Sequence, residues 1–406
     1  MMDVLPVGWE LYDLGNLAKK IEGGGTPPRD KPEYWNGKIP WATVKDLKRV
    51  SLNKTEEFIS RNGLENSASK LIPANTVIIA CRMAVGKAVF FDRDVAINQD
   101  LKAFHTNKNI NWRYFLQWYL SKSEYIESLG TGSTVKGIRL DDLKILPIHL
   151  PPLPEQKKIA SILSSIDEVI EKTTAQVAKL KDLKTSLMQE LLSRGIGHSE
   201  FKDSPVGRIP VGWECKLLDS VTNRGSGHTP DKKKPEYWNG GIKWVSLTDS
   251  NKLDQLYIND TAKKISYLGI ENSSAKIHPA GTVVMTRDAG VGKSAIIIDD
   301  MAVSQHFMAW VCNDKFDNHY LYYLLQLWKP QFEAIAMGST IKTIGLPYFK
   351  KLYVPVPLFE EQKEIAKILS SIDKKITTTN QKLSTLNHTK KALMQDLLTG
   401  KKRVLV

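Results

Sequence analysis

The chain has 406 residues, of which 57 are Lys or Arg and 44 Asp or Glu, giving a net charge of +13. That length can bury two or three cores without disulfides or metals, and the basic surplus points to a polyanion, nucleic acid ahead of an acidic membrane surface. No apolar run is long enough to cross a bilayer, the start Met1-Met2-Asp3-Val4-Leu5-Pro6 lacks a basic and apolar leader, and Cys81, Cys215 and Cys312 show neither CxxC nor metal-ligand spacing, so the expectation is a cytoplasmic chain with reduced thiols and no metal.

In chain order the same elements occur twice. Leu5-Pro6-Val7-Gly8-Trp9-Glu10 returns as Ile209-Pro210-Val211-Gly212-Trp213-Glu214, and Lys31-Pro32-Glu33-Tyr34-Trp35-Asn36-Gly37 returns as Lys234-Pro235-Glu236-Tyr237-Trp238-Asn239-Gly240. Each of the latter places an Asn-Gly turn ahead of a strand-like run ending at Trp41 or Trp244. Residues 76–80 and 282–286 predict short buried strands, 95–99 and 302–305 further strands, and 112–120 and 318–327 amphipathic helices. Each globule therefore reads as α+β (mixed α/β) with a small, mostly antiparallel sheet.

A long helix follows each globule. Glu155-Gln156-Lys157-Lys158-Ile159-Ala160 and Glu361-Gln362-Lys363-Glu364-Ile365-Ala366 open the two copies, 206 positions apart. Ile159, Ile162, Ile166, Val169, Thr173, Leu180, Leu183 and Leu187 step by threes and fours, as do Ile365, Ile368, Ile372, Thr379, Leu386 and Leu393. Leu163, Ile170, Val177 and Leu191, with Leu369, Ile376, Leu383 and Leu397, widen the stripe. The expectation is that the two helices pack on each other as an antiparallel coiled coil, any apolar stripe left over facing another protein. Lys179, Lys181 and Lys184 are expected to be solvated or partner-facing. Gly195, Gly197, Ser204, Pro205 and Gly207 mark a linker. The expected division is a globule over 1–152, a helix over 153–194, a linker over 195–208, a globule over 209–357 and a helix over 358–400.

Catalytic motifs are missing. Residues 287–294 resemble the end of a phosphate-binding loop, but Arg287 stands where the first glycine belongs, and residues 82–88 lack the hydroxyl that would hold magnesium. Gly23-Gly24-Gly25 follows no clear strand and opens no helix, and no amino-methyltransferase segment or nuclease-like carboxylate frame appears. His306, followed by the apolar Phe307-Met308, reads as structural. The chain is expected to be no enzyme by itself.

Gly25-Thr26-Pro27 leading to Tyr34-Trp35-Asn36-Gly37, the loop from Arg82 to Lys87, Gly132-Ser133-Thr134, and Leu153-Pro154-Glu155-Gln156 opening a long helix resemble the specificity (S) subunits of type I restriction-modification systems. The second half repeats the series at Thr229-Pro230, Tyr237 to Gly240, Arg287 to Lys293, Gly338-Ser339-Thr340 and Glu361-Gln362. The resemblance implies two target recognition domains separated by two helices in an antiparallel coiled coil. Each domain would read one half of a split, asymmetric site on double-stranded DNA. Two methylation subunits would dock on the helices and methylate adenine with S-adenosylmethionine. Restriction subunits would add ATP-driven, Mg2+-dependent cleavage, and this chain would bind no cofactor. Two departures stand out: Asp231-Lys232-Lys233 follows Pro230 where Pro28-Arg29-Asp30 follows Pro27, and a one-residue gap separates the two Arg-to-Gly-Lys loops.

Candidate DNA contacts lie on loops marked by Gly and Pro. Arg82 and Arg287 can meet a guanine edge or phosphate, against a structural ion pair. Lys87 and Lys293 suit phosphates. Thr26, Pro27, Thr229 and Pro230 offer a hydroxyl and a rigid turn, against plain turn-building. Ser133, Thr134 and Lys136, with Ser339, Thr340 and Lys342, read as phosphate-gripping loops. Tyr34, Trp35, Trp41, Tyr237, Trp238 and Trp244 read as core before base-stacking, and Gln99 and Gln305 as internally satisfied before adenine-reading. Ile159, Ile162, Ile166, Leu180, Leu187, Ile365, Ile368, Ile372, Leu386 and Leu393 are the candidate coiled-coil and partner interface, and exposed helix faces allow a homodimer of the isolated chain.

Overall fold

A computed structural model describes residues 6–405; residues 1–5, which carry most of the expected absence of a leader, lie outside the described residues. The chain forms two compact units, one of residues 1–174 with 382–406 and the other of residues 175–381. Each is mixed α/β, and the two share their sheets and main helices in the same order.

In the first unit the β-branched run Val77–Ala80 is buried along its whole length, as a central strand covered on both faces must be. It lies inside a five-stranded sheet with Ala18–Gly23, Leu101–Thr106, Ala88–Phe91 and Ser51–Leu52. A four-stranded sheet holds Glu57–Ile59, Ile39–Ala42, Val95–Ile97 and Lys70–Ile72. Pairing is antiparallel except where Trp41 faces Ala96 and Ser51 faces Phe90. The sequence pattern suggested one small sheet, whereas Val95–Ile97 leaves the first sheet to centre a second one. The second unit repeats both sheets around Val283–Thr286 and Met301–Val303. There Trp238–Val245 is one strand, and Asn239 takes a φ of 58° where the register shifts between Trp238 and Ile242.

The run of glycines in the first unit has a steric reason. A Cβ at Gly24 would sit 1.8 Å from the Ile97 carbonyl oxygen, and one at its counterpart Gly227 would sit 1.5 Å from that of Val303. Gly24 lets the loop cross tightly over the second sheet; its spacing owes nothing to a cofactor.

The helices Trp112–Ser121 and Asn318–Ile335 begin at side-chain caps: Asn111 Oδ1 accepts from Tyr114 N, and Asp317 Oδ1 from Tyr320 N. Their aromatic faces close the main cores, where Tyr114, Phe115, Tyr119, Tyr320, Tyr322 and Tyr323 are fully buried.

The long helices run over Leu153–Arg194 and Phe359–Leu397. The Pro-Glu-Gln opening ties each to its globule. Gln156 Oε1 accepts from Asn111 N, and its amide donates to the Asn109 and Pro151 carbonyls. Gln362 repeats this with Asp317, Lys315 and Pro357. Glu155 accepts from Trp9 Nε1 and from Arg403, and Glu361 from Trp213 Nε1 and His198. Within the first unit, Lys390 pairs with Asp167 at 2.6 Å while Arg403 pairs with Glu155, so the two helices run antiparallel there. In the second unit Lys184 pairs with Asp373 at 2.6 Å. Lys184 was expected to be solvated or partner-facing; its side chain is 19% exposed, held within its own unit by Asp373, which also accepts from Tyr323.

The buried line differs from the expected seam. Ile159 and Ile365 are fully buried in their unit's core, with Leu163 and Leu369 from the flanking stripe. Met188 and Leu192, outside the singled-out register, are buried with them. Ile162, Ile166, Leu180, Leu187, Ile368, Ile372, Leu386 and Leu393 are half-buried, while Val169 and Leu183 are 40% and 45% exposed. The first turns of each helix pack on a globule, which rotates the buried line away from a pure helix-to-helix seam.

The stretch with linker composition carries a hairpin, Phe201–Ser204 with Gly207–Pro210. No helix among the described residues is long and apolar enough to cross a membrane, and no cluster among them could hold a metal ion.

Candidate nucleic-acid interface

In the first unit the candidate loops converge through hydrogen bonds. The loop at 24–30 is pinned from beneath: Trp41 Nε1 donates to the Gly25 carbonyl and Trp35 Nε1 to that of Pro28. The Trp35 and Trp41 rings meet edge to face with centroids 5.0 Å apart, and Arg29 lies 3.6 Å over Trp35 while pairing with Glu57. These aromatics are a platform for the loop. Pro27 is buried and the adjoining Thr26 exposed, so the proline supports the loop and the threonine faces out. Pro230 and Thr229 divide the same work: Pro230 is buried and Thr229 half-buried.

Thr26 Oγ1 donates to Gln99 Oε1 at 2.7 Å, and Thr229 Oγ1 to Gln305 Oε1 at 2.6 Å. Gln99 and Gln305 were expected to be satisfied internally. The oxygen of each is so satisfied, by its threonine, yet both side chains are exposed, and Gln305 Nε2 also lies 3.4 Å from His306 Nε2. An oriented amide of this kind can meet adenine through two hydrogen bonds.

The turn containing Gln99 joins the next loop through the backbone, since Cys81 N donates to the Asp100 carbonyl. Met83 N then donates to the Lys136 carbonyl and Ile138 N to that of Cys81. The 82–87 loop and the 132–136 loop, far apart in sequence, thus form one ledge. Arg82, Ser133, Thr134, Lys136 and Lys87 are exposed on it, and Met83 sits at a φ of 62°, a conformation that a bulky residue keeps only where its surroundings hold it. Burial pushes the Cys81 thiol beneath the ledge up to about 11, so it is no nucleophile at neutral pH.

The second unit builds the same ledge from Arg287 N to the His306 carbonyl, Ala289 N to that of Lys342 and Ile344 N to that of Arg287. These bonds correct the pairing of the two arginines. Arg287 makes the backbone bonds of Cys81, and Asp288 bridges Thr343 as Arg82 bridges Gly137. Arg82 therefore corresponds to Asp288, and the apparent one-residue gap disappears. Arg287 is mostly covered: its Nε donates to the Gln305 carbonyl at 3.2 Å and stands 3.8 Å from Asp288. Lys293 turns inward as well, donating to the Ser250 carbonyl. Ser339, Thr340 and Lys342 are exposed.

A family model described as Type I restriction modification DNA specificity domain matches the chain twice, over residues 6–181 and 210–388. The MjaVIII specificity subunit of Methanocaldococcus jannaschii is 25% identical over 412 residues, covering 98% of this chain and 94% of that protein. The EcoR124I/EcoR124II specificity subunit of Escherichia coli is 33% identical over 172 residues, 41% of this chain and 42% of that one. A crystal structure of the S subunit of a type I system from M. genitalium has the same fold, with a TM-score of 0.64 at 16% identity and 98% of each chain covered. With two matches that together span most of its length, the chain belongs to the type I restriction modification DNA specificity domain family.

Proposed function

We propose that the chain reads a bipartite, asymmetric site on double-stranded DNA, one half-site with the ledge of each unit. As a type I specificity subunit it recognises DNA sequence and has no catalytic role of its own. The observation that carries the finer reading is the convergence, in both units, of a Thr-Gln couple and a Gly-Ser-Thr loop on one exposed edge. In the first unit Thr26, Arg82, Lys87, Ser133, Thr134 and Lys136 line that edge, and in the second Thr229, Ser339, Thr340 and Lys342. Exposed lysines and hydroxyls on loops hold phosphates, and side chains ahead of them enter a groove. Pro27, Pro230, Arg287 and Lys293 support these loops from below.

In this reading the globules over 1–152 and 209–357 are the target recognition domains, and two methylation subunits dock on the half-exposed faces of the long helices around Ile166, Leu180, Ile372 and Leu386. S-adenosylmethionine, ATP and Mg2+ belong to the methylation and restriction subunits, and the complex works in the cytoplasm on host DNA. Without methylation subunits the same helix faces suit a second copy of the chain.

The test is co-expression with a methylation subunit and mapping of N6-methyladenine across the host DNA by single-molecule sequencing. A split motif that appears only with this chain is the expected result. Methylation unchanged by its omission would refute the reading.

A further inference from the structure

The two ledges share their backbone and their Thr-Gln couple, yet the next pair of side chains is reversed in charge. In the first unit the exposed cation is Arg82, 54% exposed, and its carboxylate is Asp100, 11% exposed and 3.6 Å away. Asp100 is held from behind by Asn98 Nδ2 at 2.9 Å. In the second unit the position of Arg82 is taken by Asp288, 9% exposed, and the position of Asp100 by His306, 35% exposed. His306 Nδ1 lies 2.7 Å from Asp288 Oδ2. In both units a covered carboxylate braces an exposed nitrogen base, but the brace and the base have changed strands.

The change inverts what each ledge offers a base pair. Arg82 presents a planar fork of donors, the partner of guanine O6 and N7 in the major groove. With a hydrogen bond from His306 Nδ1 to the Asp288 carboxylate, the neutral tautomer that this contact favours offers Nε2 as an acceptor. That nitrogen stands 3.4 Å from Gln305 Nε2, beside the Thr-Gln couple. One unit therefore presents donors where the other presents an acceptor, one that a base would take over from the long contact with Gln305 Nε2.

We propose that Arg82 with Asp100, and His306 with Asp288, form the position at which the two half-sites are told apart, Arg82 selecting guanine and His306 rejecting it. The inference rests on the reading of each ledge as a DNA-binding edge. Asp100 and Asp288 are positioning residues, while Arg82 and His306 touch the base.

The test uses the full chain with its methylation subunit and the same methylation map. The wild-type motif is expected to hold guanine, at the position read by Arg82, in one half only. Arg82→Gln, a change at an exposed side chain, is expected to relax that position roughly 10- to 100-fold, as loss of a bidentate contact does, and to leave the other half-site as it was. His306→Gln is expected to relax one position in the opposite half. The double change Arg82→Asp with Asp100→His should remove the guanine preference and install the preference of the second unit. An unchanged motif in Arg82→Gln overturns the proposal, and so does uniform weakening on every sequence, which marks a phosphate contact. A wild-type chain that directs no split motif would instead defeat the underlying reading of the ledges. If the double variant fails to fold, the two single variants decide.

Discussion

At the scale of single residues, buried polar groups are matched by partners from distant parts of the same unit. Glu361 accepts from Ile196 N, His198 Nε2 and Trp213 Nε1, so the helix opening and the Pro-Val-Gly-Trp segment of the second globule depend on one carboxylate. His278 is a different case. Burial lowers its proton affinity, its ring packs within 2.5 Å of where a Cβ on Gly225 would sit, and Nε2 has no hydrogen-bond partner among the described residues. Because its pKa is lower folded than unfolded, the unfolded chain takes up the proton first as the pH falls. Its contribution to stability is thus whole above the ordinary histidine value, near 6.5, and declines as the pH drops below it, by at most about 1.4 kcal/mol per pH unit. Thermal melts should show a loss between pH 7 and pH 5.5 that is smaller in His278→Phe. Equal losses in the two proteins would assign the acid sensitivity to other groups.

Among the elements, the long helices divide their apolar residues between two duties. Ile159, Leu163, Ile365 and Leu369 are core residues of their units, whereas Val169 and Leu183 stand 40% and 45% exposed on the first of the two helices. In the proposed reading such exposed aliphatics belong to the face on which a methylation subunit docks. Leu183→Glu should change the stability of the isolated chain by no more than about 0.5 kcal/mol, as surface substitutions do. It should also weaken binding of the methylation subunit at least about tenfold, measured by calorimetric titration. Equal affinity for the two chains would place the docking surface elsewhere.

For the whole molecule, two units of one plan give a single chain the two separate edges proposed to read DNA. Each unit has its own sheets and its own core, so one can be exchanged without rebuilding the other. Replacing residues 6–152 with the corresponding segment of a relative should change one half of the methylated motif and keep the other half base for base. A motif altered in both halves would show that the edges are read jointly.

The duplication, the mixed α/β class, the two long helices and the family were legible in the sequence, because repeats, turn residues and helical periodicity are local patterns. The Thr-Pro and Gly-Ser-Thr loops were legible for the same reason. Tertiary structure alone decided what local patterns cannot encode. It paired Cys81, not Arg82, with Arg287, since equivalence depends on which carbonyl each amide meets across the ledge. It exposed Gln99 and Gln305 despite the apolar strands that precede them and covered Pro27 and Pro230, a residue type that is mostly exposed. It also moved the buried helix line to Leu163, Met188 and Leu192, because a globule competes with the other helix for each apolar face. A residue's neighbours along the chain set its element, whereas its exposure and charge partner depend on contacts closed by residues far away in sequence.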